Sequence, residues 1–422
     1  MIRPEPSPHQ HLPSGMKMSE FVALMAVMIA IPAMSIDLML PALPDIGGDL
    51  NVAYANDRQA IIVFFFLGLA GGSLFYGPLS DHFGRRPVMV STLALSFLMT
   101  VIAAMADSFP LMLGARMAAG FFAAACRVTV VSIVRDCFRG DTMARIMSLI
   151  MMVFIIVPMF APSVGSFILL FGPWRTIFWI LSALIFAILT WVSLRLPETL
   201  EKENRTAIRV RDIGAMAVKV MTNRNSIGHM LASGFMLAGL VGFVTSVQQI
   251  FFDVFDAEAI FPIGFAIMAG GMALGSLLNS RLVERFGARR MSQSAVICLI
   301  LIAITHSLII VSGHETMILF IIIQTFTSLC FSFAGANFSA ISLEPYSVGA
   351  GLASSIQSFL TTALSAVLGG LVGAYFDGTP LPLALGFVIF GSISLLLIFW
   401  AEGWKLFRRP GRTALRENKA QL

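Results

Sequence analysis

Twelve stretches of about 20 or more mostly apolar residues fill this 422-residue chain, with short polar breaks between them. They run over 19–42, 57–79, 86–106, 109–134, 144–170, 175–196, 227–252, 260–280, 291–312, 316–343, 350–376 and 381–402. In hydrocarbon no water satisfies a backbone amide, so each stretch must close its hydrogen bonds within itself, and the expected element is a helix. Composition agrees: 57% of residues are hydrophobic and 12% charged, against about 25% charged in soluble domains. A water-soluble fold is excluded. The first 18 residues are polar and proline-rich, and the apolar run after them is too long for a signal peptide and lacks a cleavage site, so it reads as the first span.

The second constraint is an internal repeat. GSLFYGPLSDHFGRRPV, Gly72 to Val88, returns as GSLLNSRLVERFGARRM, Gly275 to Met291, at an offset of 203 with seven identities. The repeat divides the chain into an N-terminal tail 1–18, a six-helix bundle 19–197, a linker 198–226, a second six-helix bundle 227–402 and a basic tail 403–422. Within the linker the apolar run IGAMAVKVM sits among basic residues and predicts a surface helix.

Basic residues set the orientation. Of 28 lysines and arginines, all but Arg58, Arg175, Arg116 and Arg127 fall in the two tails or the even-numbered loops, which predicts both termini in the cytoplasm. The net charge of +5 is then accounted for by the inner membrane face, and no nucleic-acid partner is needed. The four cysteines have no metal-binding or disulfide spacing.

Three charges are immersed in predicted spans: Asp37, Arg116 and Arg127. Each costs about 2.5 to 3.5 kcal/mol at a helix centre, so such residues face a partner or a watery cavity. Asp37 and Arg116 lie roughly 6 and 10 Å from the outer ends of their helices, and therefore at a similar depth. Arg127 is eleven residues beyond Arg116, close to three turns, so both project from one helix face with Gly120, Ala123 and Ala124 between. Two readings stand for Asp37: a proton carrier, or a permanent ion pair with Arg116. Arg127 either contacts substrate or binds backbone carbonyls. With Asp37 ionised this set carries one surplus positive charge, which favours a neutral, zwitterionic or anionic substrate. All three charges belong to the first half, since the offset carries them to Leu240, Leu319 and Cys330.

Softer cavity candidates are Gln248, Gln249, Gln324, Asn337 and Gln357, which either line a cavity or hydrogen-bond between helices. His229 and His306 lie near span ends and read as interfacial.

GPLSDHFGRRP between spans two and three resembles the signature loop of the major facilitator superfamily. ALPDI after Asp37, Arg116 with Gly120, VRD at 134–136, PWRTIFW at 173–179 and LPETL closing span six look like its twelve-span drug:proton antiporter branch, in particular the Bcr/CflA group. Where the family has Gln and Gly after the span-four arginine, this chain has Ala119 and Phe122; its span five keeps Pro162 and Gly165 of the antiporter motif. The resemblance implies an all-α membrane fold of two six-helix bundles around a cavity, with spans one and four lining it. It implies an ion-pair latch at the repeated loop, from Gly77, Asp81, Gly84, Arg85 and Arg86 with Arg135 and Asp136, and in the second copy from Glu284 and Arg289. It also implies a bend in helix five at Pro158, Pro162 and Gly165. The expected protein is a monomeric, multi-pass secondary transporter of a bacterial inner membrane. It exports small amphiphilic molecules in exchange for protons, with Asp37 as protonation site and no cofactor beyond the proton gradient. An importer or uniporter on the same fold is the alternative, and a channel or sensor a remoter one. Without a P-loop, GxSxG or HExxH motif, an enzyme is not expected.

Overall fold

A computed structural model of the chain describes residues 15–206, 210–346 and 349–407, apart from the side chains of Asp141, Ala144 and Val210. Most of both predicted tails, 1–14 and 408–422, lies outside the described residues. Twelve helical segments among these residues are long and apolar enough to cross a membrane, and there is no strand among them. Two compact units divide at Ile213 and Gly214.

The first unit holds α1 (Met18–Asp37), α2 (Leu43–Asp49), α3 (Ala60–Phe83), α4 (Arg85–Ala104), α5 (Phe109–Cys137), α6 (Gly140–Leu169) and α7 (Arg175–Arg195). The expected linker helix is present as α8 (Val210–Thr222), and the division between units falls within it. The second unit holds α9 (Arg224–Gln249), α10 (Phe261–Phe286), α11 (Ala288–Val311), α12 (Met317–Leu343), α13 (Ala350–Ala374) and α14 (Leu381–Ala401).

Each unit packs its helices in the same pairs. In the first, α3 lies on α5, α4 on α7 and α1 on α6; in the second, the partners at the repeat offset do the same, α10 on α12, α11 on α14 and α9 on α13. Small residues set these contacts, because in lipid helices associate by close packing rather than by escape from water. A Cβ on Gly68 would lie 1.9 Å from the Met117 carbonyl oxygen, and one on Gly72 2.2 Å from that of Phe121. Their counterparts Gly271 and Gly275 meet the carbonyls of Thr325 and Leu329 at 2.3 and 2.7 Å. The repeated loop also needs its glycine in both copies: Gly84 and Gly287 have φ of +103° and +88°, a region side-chain-bearing residues rarely enter, and each separates two helices without a spacer.

Span one is interrupted. α1 ends at Asp37, a 3-10 turn covers Leu40–Ala42, and α2 follows. Pro41 and Pro44 explain the break, since each lacks an N–H and disfavours helical geometry in the residue before it. α6, by contrast, runs as one helix through Pro158 and Pro162, and Gly165 brings it against the break: a Cβ there would sit 2.1 Å from the Leu38 carbonyl oxygen. Close packing is thus the observed role of Gly165. At the end of α2, Trp174 Nε1 and Arg175 Nη1 both donate to Asp49 Oδ2, at 2.9 and 2.7 Å, which ties the PWR segment to span one.

Candidate functional site

Two of the first unit's immersed charges, Asp37 and Arg116, lie near the break in α1, but they do not pair. Arg116 is 1% exposed, and its Nη2 donates to the Ser35 carbonyl at 2.8 Å. That carbonyl is in the last turn of α1, where helix carbonyls lack an internal partner. The guanidinium also lies 4.3 Å from the Phe65 ring centroid and 5.7 Å from that of Phe178, so aromatic faces replace part of its hydration. Its Nε has no hydrogen-bond partner among the described residues. Asp37, two residues from Ser35, is 6% exposed, and its carboxyl makes no hydrogen bond or ion pair among the described residues. The permanent pair is not formed in this structure: Arg116 directs one of its donors to the helix-end carbonyl and none to the Asp37 carboxyl.

Arg127 stands apart. It is exposed and its guanidinium makes no hydrogen bond or ion pair among the described residues, so binding to backbone carbonyls is not its observed role. Its angular alignment with Arg116 does not give it the same surroundings, because α1 reaches over the helix at Arg116 and Arg127 is uncovered. Between them Gly120 receives a helix: a Cβ there would lie 2.1 Å from the Phe65 carbonyl oxygen.

At the basic end of the first unit, Arg85 is 3% exposed and joins three elements. Its Nε donates to Asp136 Oδ2 at 2.9 Å, and its Nη1 to Asp81 Oδ1 at 2.5 Å and to Ser80 Oγ at 2.8 Å. Ser80 Oγ in turn donates to the Gly77 carbonyl at 3.0 Å. Glu198, from the LPETL segment, accepts from the backbone N–H groups of Arg85 and Arg86 at 2.9 and 3.3 Å and caps α4. A Cβ at Gly84 would lie 2.3 Å from Glu198 Oε2, so the capping carboxylate would have to shift to admit one. Arg86 Nη2 donates to the Ser193 carbonyl at 2.7 Å. Arg135 is exposed and donates no hydrogen bond to this network, so what it brings is a positive charge near Asp136. The LPETL motif was a usable signal for Glu198; nothing in the sequence marks Ser193.

The second unit departs from the picture its sequence suggests. Arg289 binds Glu402 through Nε at 2.7 Å and Glu344 through Nη1 and Nη2 at 3.1 and 2.7 Å. Its acids thus come from the ends of α12 and α14, while Glu284 is an exposed residue of α10. Nor are His229 and His306 interfacial: they are 0% and 1% exposed. His306 Nε2 lies 3.0 Å from Glu315 Oε1, and His229 Nε2 3.6 Å from Glu402 Oε1. Buried charge handling is therefore not confined to the first half.

Among the polar cavity candidates, Asn337 Nδ2 donates to Asn279 Oδ1 at 2.8 Å and to the Phe333 carbonyl at 2.7 Å, and Gln357 Oε1 accepts from Ser342 Oγ at 3.0 Å. The Asn337–Asn279 and Gln357–Ser342 contacts are helix-to-helix bonds. Gln248 and Gln249 are 0% exposed. Both side-chain polar atoms of Gln248 lack a hydrogen-bond partner among the described residues, as does Gln324 Nε2.

Comparison with known proteins gives a consistent picture. The Major Facilitator Superfamily model matches residues 22–344. The "Bicyclomycin resistance protein homolog" of Haemophilus influenzae is 27% identical over 400 residues, covering 92% of this chain and 98% of that protein. The "Multidrug resistance protein MdtL" of Escherichia coli is 28% identical over 406 residues, covering 94% and 97%. Among solved structures, a D-xylose-proton symporter superposes with a TM-score of 0.70 at 13% identity over 92% of this chain and 98% of its own. The human organic anion transporter MFSD10 does so with 0.61 at 18% identity over 91% and 99%. At these identities the two structures speak to fold alone.

Proposed function

The chain belongs to the major facilitator superfamily and is a multi-pass membrane transporter, and from that premise we propose that it is a proton-coupled exporter of small amphiphilic molecules working by alternating access. The observation that carries the proposal is the Asp37 carboxyl, buried and unpaired at the break in α1. A carboxyl with no fixed partner can take up and release a proton as its solvation and its distance from Arg116 change. A broken helix end is also where transporters of this kind assemble ion and substrate sites. The names of the resistance-protein relatives support drug-like cargo and outward direction.

The test is transport in proteoliposomes with an imposed pH gradient, comparing the parent with Asp37→Asn for an anionic, a neutral and a cationic fluorescent amphiphile. The variant is expected to retain downhill exchange and to lose uphill accumulation. Accumulation equal to the parent's would remove Asp37 from the coupling step.

Arg127, exposed and unpaired, supplies the charge preference in this reading. Arg127→Leu is expected to slow flux of the anionic and neutral probes more than that of the cationic one. Unchanged flux of all three would leave the preference for uncharged or anionic cargo without a basis.

A further inference from the structure

His229 sits in the second turn of α9, wholly buried. Its Nδ1 lies 2.8 Å from the carbonyl oxygen of Asn225. A carbonyl can only accept, so Nδ1 carries the proton of the neutral ring and Nε2 is left as a bare lone pair. Glu402 Oε1 lies 3.6 Å from this nitrogen, which has no hydrogen-bond partner among the described residues. Two acceptors thus face each other in a site shut off from water, an arrangement that is unfavourable unless a proton stands between them.

The charges around the pair make a proton welcome. Glu402 comes from the end of α14, Arg289 from the first turn of α11, and Glu344 from the end of α12. On α9 itself, Arg224 is turned away to the Trp400 carbonyl and ring. The Phe338 ring of α12, with its centroid 6.0 Å from that of His229, closes another side. With the imidazole neutral, two carboxylates face one guanidinium and the cluster carries one net negative charge. A proton arriving at Nε2 from bulk water brings it to neutrality and turns the opposed acceptors into an N–H···O bond.

We propose that His229 and Glu402 form an exchangeable proton-binding site in the second bundle, in which the proton on Nε2 and the Arg289 guanidinium share the same carboxylate oxygen. Loading the site weakens the share of Glu402 available to Arg289, and so loosens the residue whose guanidinium joins the start of α11 to the ends of α12 and α14. The site is separate from Asp37 and does not depend on the direction of transport.

The test reads the proton itself. Protein labelled with ¹⁵N-histidine, in lipid nanodiscs, is followed by NMR across roughly pH 5 to 9, the range in which an imidazole titrates. The His229 signal is assigned by its absence from His229→Gln. It is expected to show a protonated Nε2 at the acid end and a bare one at the alkaline end. In Glu402→Gln the carboxamide oxygen can take the shared place and still accept from Arg289, but no carboxylate is left there to hold a proton against Nε2, so this variant keeps the Arg289 bond and removes the proton site. It also makes the ring signal independent of pH, which provides a second assignment if His229→Gln does not fold. A His229 signal that stays bare, or stays protonated, over the whole range overturns the proposal. Because no transport is measured, failure of the exporter reading and failure of this site remain distinguishable.

Discussion

Replacing Arg85 with alanine is expected to lower stability by about 3 kcal/mol and to disable transport. Removing one member of a buried ion pair typically costs about 3–5 kcal/mol, because the partner is left charged and desolvated. Here the low end applies, since the Asp81 side chain is 44% exposed and can rehydrate, whereas that of Asp136 is only 17% exposed and cannot do so fully. Ser80 Oγ would lose its donor as well. The effect on transport follows from geometry. Arg85 joins the ends of α3 and α5 at the start of α4, so its loss releases three helices at one end of the first unit together. If the cluster favours one conformational state by about 1.4 kcal/mol or more, its loss shifts the population at least about tenfold. Arg85→Lys keeps the charge but not the forked donor set, and should fall between parent and alanine variant. Melting temperature in detergent and the initial rate in proteoliposomes check both parts. An alanine variant that melts like the parent would show that the network contributes nothing to the fold.

The largest effect on folding is expected from Gly120→Val. A Cβ at position 120 would lie 2.1 Å from the Phe65 carbonyl oxygen and 2.9 Å from its carbon, and both are backbone atoms of the facing helix. A flexible side chain could swing aside, but a helix backbone cannot yield without separating α3 from α5 along its length. Gly68 and Gly72 make the reciprocal contacts on the same crossing, so no neighbouring position absorbs the displacement. The cost should be at least about 3 kcal/mol, the upper end for overpacking, and the variant should give little monodisperse protein in size-exclusion chromatography. Gly114 offers the control. It lies on the same helix with nothing within 4 Å of where a Cβ would stand, and Gly114→Ala should be neutral or stabilising by up to about 1 kcal/mol through helix propensity. If both substitutions behave alike, close backbone contact is not what holds this crossing.

The twelve spans, the repeated loop with its two glycines and the linker helix were legible in the sequence because each is a local property. Hydropathy decides whether a segment can enter lipid, and a positive φ at a chain reversal calls for glycine wherever it recurs. The depth match of Asp37 and Arg116 was legible too, from rise per residue. What the arginine does there was not: only the packing of α5 against the end of α1 puts the Ser35 carbonyl within its reach. The same limit explains the second latch. Glu284 occupies the position the repeat assigns to an acid, yet Arg289 turns to Glu344 and Glu402, because the side chain follows which helix ends lie beside it.

The sequence alone determined that this chain spans a membrane twelve times, repeats one six-helix design, and reverses at Gly84 and Gly287. A helix in hydrocarbon satisfies its own backbone, so these features need no knowledge of neighbours. Tertiary structure alone decided which charges are paired, which are orphaned and which histidines are buried. Arg85 meets Asp136 across 51 residues and Arg289 meets Glu402 across 113, separations over which no periodicity carries information. The free energy of a buried charge depends on the groups within a few ångströms of it, and helix packing chooses those groups.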